Sequence, residues 1–125
     1  MTHLTAIVLT YNEEEHIKQC LETLSFADER IVFDSYSTDK TIDIVKEMNV
    51  TVIQHAFENF AEQRNSALSV VEDFAEWVLF VDADERVPTE LAEEILQIIQ
   101  ESDAVGYQIP RHNYIFGKLT TGAGW

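Results

Sequence analysis

Strand-like and helix-like segments alternate along most of this 125-residue chain, and the alternation predicts an α/β fold, a mostly parallel sheet flanked by helices. Two further observations sharpen that expectation. Residues 77–81 are five apolar residues in a row, the pattern of a strand buried on both faces by covering helices. Polar and acidic residues gather just after several of the strand-like runs, where open α/β sheets bind their ligands.

Each element has its own signal. Residues 4–10 are a short apolar run with polar neighbours and read as the first strand. Asn12 is placed to cap the following helix, with Glu15 as its capping-box partner. Ile17, Cys20, Leu21 and Leu24 then recur at helical spacing. Residues 30–33 are a second strand. Ser37 or Thr38 opens a second helix with Ile42, Val45 and Met48 on its inner face, and Asn49 stops it. Residues 50–53 make a third strand. Phe60, Arg64, Ala67, Leu68 and Val71 mark a third helix, and residues 77–81 are the fourth strand. Pro88 suits the first turn of a fourth helix, whose core face is Leu91, Ile95, Leu96 and Ile99. Residues 104–109 are a fifth strand, ended by Pro110. The crossovers are expected to be right-handed. Residues 111–125 hold three of the four glycines and show no period. The chain thus divides into an α/β domain, residues 1–110, and a different segment, residues 111–125.

Charge excludes some functions. The 23 acidic residues outnumber the 8 basic ones, for a net charge of -15. A nucleic-acid binder needs a positive footprint, and an acidic surface also repels anionic lipid headgroups. A phosphorylated ligand would need a cation to mediate its contact. Cys20 is the only cysteine, so an intrachain disulfide is excluded; on an apolar helix face it reads as a small buried hydrophobe, consistent with a reducing cytoplasmic setting. The first residues lack the pattern of a signal peptide, and no apolar run approaches the ~20 residues of a membrane span.

The sharpest chemical feature is Asp82-Ala83-Asp84 at the exit of the fourth strand. In extended backbone, residues two apart point to the same side, so both carboxylates would converge on one hard cation. Asp oxygens suit Mg²⁺ or Mn²⁺, with water and substrate phosphate completing the shell. Asp is also common in turns, and the wholly apolar strand before the pair tips the reading toward metal. There is no glycine-rich phosphate loop. Glu13, Glu14 and Glu15 open the first helix instead, which suits the helix dipole and would repel a phosphate set against it. Tyr11 and Asn12, after the first strand, offer a ring to stack on a base and an amide to bond its edge. Asp34 and Ser35 come directly after the second strand.

With these motifs in place, the chain resembles glycosyltransferase family 2, with the GT-A fold, the Rossmann-like fold of nucleotide-diphospho-sugar transferases. The segment Ala6-Ile-Val-Leu-Thr-Tyr-Asn-Glu-Glu is similar to the family's opening strand and uracil-binding turn. Asp34-Ser-Tyr-Ser-Thr-Asp-Lys-Thr is similar to its D-S-G-S-T-D-G-T segment, Phe60-Ala-Glu-Gln-Arg-Asn-Ser-Ala-Leu to its A-x-x-R-N-x-A-L helix, and Trp77-Val-Leu-Phe-Val-Asp-Ala-Asp-Glu to its D-x-D strand. The tail Pro110-Arg-His-Asn-Tyr-Ile-Phe-Gly-Lys resembles the lipopolysaccharide-core β-glucosyltransferase subgroup. Four motifs in order form a specific signal that none gives alone.

The resemblance implies inverting transfer of a sugar, a hexose by subgroup, from a UDP-sugar to a hydroxyl of a glycan or glycolipid. The setting would be cell-envelope glycan synthesis such as lipopolysaccharide, in the cytoplasm or peripherally at the inner face of the membrane. Residue by residue, Tyr11, Glu13 and Asp34 match positions that hold the uridine, Arg64 a position near the diphosphate and donor sugar, Asp82 the acid nearer the ribose and metal shell, and Asp84 the direct metal ligand. With Asn12 and Ser35 these are the expected nucleotide-sugar-binding residues. Two departures stand out. The family usually has glycine where this chain has Tyr36 and Lys40, which puts the geometry around Asp39 in question wherever a positive φ is required.

Family members also carry a second half with an acceptor site and a carboxylate base. The expectation is therefore a truncated chain that binds nucleotide and metal but turns over poorly alone. Residues 111–125 would begin the acceptor segment, either mobile or covered in a homodimer. Neither Glu85, placed at a turn, nor His112 makes a convincing base. Two other classes compete: a non-catalytic interaction domain, and a receiver-like signalling module. The latter would want paired acids where Tyr11 and Asn12 stand and a lone Asp where Gln54 and His55 stand.

Overall fold

The computed structural model describes residues 3–101 and 115–118. In chain order these form β1 (Leu4–Thr10), α1 (Ile17–Thr23), β2 (Glu29–Asp34), α2 (Thr41–Glu47), β3 (Thr51–Gln54), α3 (Phe60–Val71), β4 (Trp77–Asp82), α4 (Thr89–Glu101) and β5 (Ile115–Lys118). The sheet order is β3-β2-β1-β4-β5. β1, β2, β3 and β4 pair in parallel, and β5 runs antiparallel to β4. This is the α/β fold the sequence predicts.

The alternation of strand side chains divides the core in two. Leu4, Ala6 and Val8 of β1, with Leu79 and Val81 of β4, point to one face. There α1 brings Ile17, Cys20 and Leu21, α2 brings Val45, and α4 brings Leu91, Ile95 and Ile99. Ile7, Ile31, Phe33, Val78 and Phe80 point to the other face, where Ala67 and Val71 of α3 cover them. Successive strands move outward from β1 to β3, and the chain then crosses by way of α3 to β4 on the far side of β1. The strand order therefore reverses between β1 and β4, and such a reversal opens a crevice at the carboxyl ends of the strands.

Several local expectations are corrected. Asn12 does not cap α1. It sits at φ 53, in the left-handed region rather than the extended backbone of an N-cap, and α1 starts only at Ile17, with His16 at its N-cap making no side-chain capping bond. α2 begins at Thr41, because residues 37–40 are spent on a turn in which Asp34 accepts bonds from the Ser37 N–H and hydroxyl. On α2, Ile44 packs toward the core beside Val45 and Met48 in place of Ile42. Leu96 is 37% exposed, since it lies about 100° round the helix from the centre of the Leu91–Ile95–Ile99 stripe. Residues 115–118, read as aperiodic, form the edge strand β5. Phe116 anchors that strand by stacking on Trp77, with ring centroids 5.0 Å apart and 13° between the planes. The fifth strand expected at residues 104–109 lies outside the described residues. Among the described residues no helix is long and apolar enough to cross a membrane.

Cys20 is fully buried under β1 and β4, and its thiol donates to the Asp82 carbonyl at 3.6 Å. Burial, offset in part by Arg86 and reinforced by Asp84, Asp82 and Glu85, pushes its pKa up to about 12. We expect the native chain to be inert to a thiol reagent at mildly alkaline pH and to titrate one thiol once unfolded. Rapid labelling without denaturant would contradict this packing.

Candidate functional site

The ladders bring the strand ends level. Leu9 pairs with Asp82, Thr10 with Asp34, and Asp34 with Gln54. Above these ends opens a cleft of about 520 Å³. Thr10, Tyr11 and Glu13 line it from β1, Ser35 from β2, and Asp82, Ala83 and Asp84 from β4; Phe57, Phe60 and Gln63 line it from α3 and its approach.

Asp34 lies beneath the cleft and does not line it. It is fully buried, and its carboxylate is engaged by the chain itself. Oδ1 accepts from the Thr10 hydroxyl at 2.7 Å and the Ser37 hydroxyl at 2.5 Å; Oδ2 accepts from the Ser37 N–H at 2.8 Å and Gln54 Nε2 at 3.3 Å. Asp34 thereby ties the ends of β1, β2 and β3 together.

Asn12 also serves the scaffold. Its Oδ1 accepts from the N–H groups of Thr38 at 2.8 Å and Asp39 at 3.3 Å, and its own N–H donates to Ser37 Oγ at 2.8 Å. Glu13 N–H donates to Thr41 Oγ1, and Glu14 N–H to Asp39 Oδ2. The loops after β1 and β2 are thus zipped together beside the cleft.

The two aspartates reach the cleft by a route different from the one expected. β4 ends at Asp82, and Ala83 and Asp84 lie in a turn closed by the Glu85 N–H on the Asp82 carbonyl at 2.9 Å. The turn sinks Ala83 to 2% exposure and leaves Asp84 exposed, while both acids line one cleft with Tyr11. Burial raises the pKa of Asp82, with Asp84 and Glu85 adding to it and Arg64 pulling it down. Burial also raises that of Glu13, reinforced by Asp84, Asp82 and Asp39 and opposed by His16. Carboxylates from β1 and β4 therefore repel one another across the cleft, a cost that a divalent cation would relieve. Among the described residues no three His, Cys, Asp or Glu side chains are grouped to hold an ion by themselves. Arg64, half-buried on α3, does not line the cleft, though its charge reaches Asp82.

The aromatic wall and Gln63 were missed from sequence. Phe57 and Phe60 stand edge to face, 5.1 Å between centroids, and are 48% and 63% exposed. Asn59 between them caps α3 by accepting from Glu62 N–H. Phe60 shares the stripe of Gln63, Ala67 and Val71, but at the end of α3 nearest the cleft. Periodicity gives the face of a helix and does not say where the sheet beneath it stops. Two exposed aromatics flanking a cap residue were the available signal.

Residues 5–122 match the model of glycosyl transferase family 2. This chain belongs to glycosyltransferase family 2. It is 29% identical over 120 residues to the lipopolysaccharide core biosynthesis glycosyltransferase LpsC of Rhizobium meliloti, covering 91% of this chain and 44% of that protein. The crystal structure of S. aureus TarS 1-349 in complex with UDP superposes with a TM-score of 0.62 at 27% identity, over 88% of this chain and 38% of that one. Glucosyl-3-phosphoglycerate synthase from Mycobacterium tuberculosis, crystallised with Mn²⁺, UDP and glucosyl-3-phosphoglycerate, superposes with a TM-score of 0.69 at 21% identity, over 86% of this chain and 42% of that one; it shows the shared GT-A fold. The chain spans 37% and 44% of two of the curated relatives it matches.

Of the two positions where this family member departs from the usual glycine, one carries strain. Tyr36 has φ 61, while Lys40 has φ -87. Because a left-handed non-glycine residue costs about 1–2 kcal/mol, partly offset by the freedom glycine gains when unfolded, Tyr36→Gly should stabilise the chain by roughly 0.5–1 kcal/mol. Denaturant unfolding measures this, and a destabilised variant would contradict it.

Burial tends to raise the pKa of Asp39, but bonds from the Thr41 hydroxyl and N–H and from Glu14 N–H outweigh it and hold the pKa below the ordinary 3.8. A carboxyl depressed in this way contributes stability that is complete above that ordinary value and lost as pH falls through the lower folded one. The gap in melting temperature between the wild-type chain and Asp39→Ala should therefore be widest near neutrality and shrink below pH 3.8. A gap that widened with acid would contradict the assignment.

Proposed function

We propose that this chain is the nucleotide-sugar-binding part of an inverting glycosyltransferase that moves a hexose from a UDP-sugar to a hydroxyl of a glycan or glycolipid, in lipopolysaccharide or related cell-envelope synthesis at the inner face of the membrane. One observation carries the reading: Tyr11, Glu13, Asp82 and Asp84 face a single cleft where the strand order reverses. The likeness to LpsC supports the envelope role, and the UDP held by TarS supports the donor. Residues 1–110 are the donor-binding domain, and residues 111–125 begin the acceptor-facing segment, tied to the sheet through β5.

The donor set fits Mg²⁺ or Mn²⁺. Carboxylate oxygens are hard ligands, and a chain of net charge -15 disfavours a bare diphosphate unless a cation offsets the repulsion. Asp84 and Asp82 would hold the ion, with water and the diphosphate completing its shell. When bound, the ion supplies Lewis acidity that neutralises charge on the departing UDP. Tyr11 offers its ring to the base, Glu13 and Ser35 line the nucleoside side of the cleft, and Arg64 bears on the diphosphate. Asp34 and Asn12 act on the nucleotide by fixing the loops that carry these groups.

Calorimetry of UDP binding with and without Mn²⁺ tests this. Wild type should bind UDP at least about tenfold more tightly with Mn²⁺. Asp84→Ala should lose that gain while keeping its metal-free affinity. Binding that is indifferent to both the ion and the substitution would overturn the proposal.

A further inference from the structure

Asp82 and Asp84 stand on a segment that is docked along α1. His16, at the N-cap of that helix, and Gln19, Cys20 and Thr23 within it recur at i, i+3, i+4 and i+7, which is one stripe of a helix. Each meets the segment 82–87. Cys20 Sγ donates to the Asp82 carbonyl at 3.6 Å, and the Thr23 hydroxyl accepts from Val87 N–H at 3.1 Å. Between those two points stands Arg86, half-buried. Among its bonds, Nη1 donates to the Glu85 carbonyl at 3.0 Å, and Nη2 donates to Gln19 Oε1 at 2.8 Å and to His16 Nδ1 at 3.4 Å. A guanidinium can only donate, so His16 accepts through Nδ1. One arm of the planar fork thus holds the backbone of the turn, and the other holds the helix.

The same helix fixes the opposite side of the cleft. The Glu13 carbonyl accepts from the N–H groups of His16 at 3.0 Å and Ile17 at 2.9 Å, so Glu13 is attached to the start of α1. Glu13 on one side and Asp82 with Asp84 on the other are therefore both referred to α1. Their mutual repulsion pushes the turn away from Glu13, and the bonds to α1 oppose that push. From this geometry we infer that Arg86 is a positioning residue, whose fork holds the Asp82–Glu85 turn against α1 and so sets the spacing of the acids across the cleft. Arg86 does not line the cleft itself. Its positive charge alone would not do this. A lysine keeps the charge but offers one nitrogen on a flexible stem in place of a rigid fork. The inference rests on the proposed metal-assisted nucleotide binding and adds to it a residue that acts through the turn.

Two readouts on the 125-residue chain test it. The first is the gain in UDP affinity that Mn²⁺ brings, from calorimetry. Partners that orient metal ligands are worth about 10- to 100-fold in metal affinity, so Arg86→Ala should cut the gain at least about fivefold. Arg86→Lys should not restore it, and Gln19→Ala should cut it about twofold. The second is amide hydrogen exchange without ligand. In Arg86→Ala the N–H groups of Glu85 and Val87, bonded to Asp82 and Thr23, should exchange about tenfold faster, while those of β1 and β4 keep wild-type rates. Gln19 is exposed and alanine favours a helix, so that variant stands even where Arg86→Ala folds poorly. An unchanged Mn²⁺ gain in either alanine variant, full recovery in Arg86→Lys, or exchange that quickens evenly along the chain would overturn the inference while leaving nucleotide binding intact. Wild type that gains nothing from Mn²⁺ would overturn the proposed function itself, and this inference with it.

Discussion

β1 is paired in parallel with β2 on one side and β4 on the other, and the register of those two ladders decides where every polar group of the cleft lies. Leu9 is level with Asp82, and Thr10 is level with Asp34. In parallel strands the carboxyl ends share one edge of the sheet, so the loops leaving those ends emerge together. A one-residue slip of β4 would turn its alternating side chains to the opposite faces. It would also carry Asp82 away from Tyr11 and Glu13. Both faces of β1 and β4 are packed against filled cores, and a slip would exchange side chains of different size between them.

Around this edge the chain holds its loops with polar bonds and leaves its charge exposed to a ligand. Asp34, Asn12 and Asp39 look like candidates for ligand contact, yet each is committed to groups of the chain itself, in the neighbouring loops and, for Asp34, also on β3. Glu13, Asp82 and Asp84 are the acids left facing the cleft. The first group makes the site rigid; the second makes it unfavourable when empty, since burial and mutual repulsion both disfavour the charged forms of Glu13 and Asp82. On the proposed function, binding of a cation with the nucleotide would remove part of that cost, which is one way a strongly acidic protein can take an anionic ligand.

The parts of this arrangement that repeat along the chain were legible in the sequence. Strand and helix alternation, the doubly buried run in β4 and the helical stripe of α1 all come from hydrophobic period. The Asp-x-Asp pair was legible as a place on the cleft, though its geometry was not: a turn at Ala83, and not extended backbone, brings Asp84 there. What period cannot give is the direction of a polar side chain. Asn12 reads as a cap by its neighbours in sequence and is in fact a tether to residues more than twenty positions away. Gln63 reads as an ordinary helix residue, and only its burial against His55 and Ser35 reveals it as part of the cleft wall. β5 is four residues long and includes a glycine, too short and too mixed to stand out before its partner strand is known.

On the proposed function, the carboxylates leaving β1 and β4 share one cation with a nucleoside diphosphate. Crystals grown with UDP and Mn²⁺, measured at the manganese absorption edge, test it most directly. One anomalous peak should appear bonded to Asp84, with Asp82 at or near its shell and diphosphate oxygens on its other side. A peak elsewhere on the acidic surface, or UDP in the cleft with no metal between it and Asp84, would contradict it.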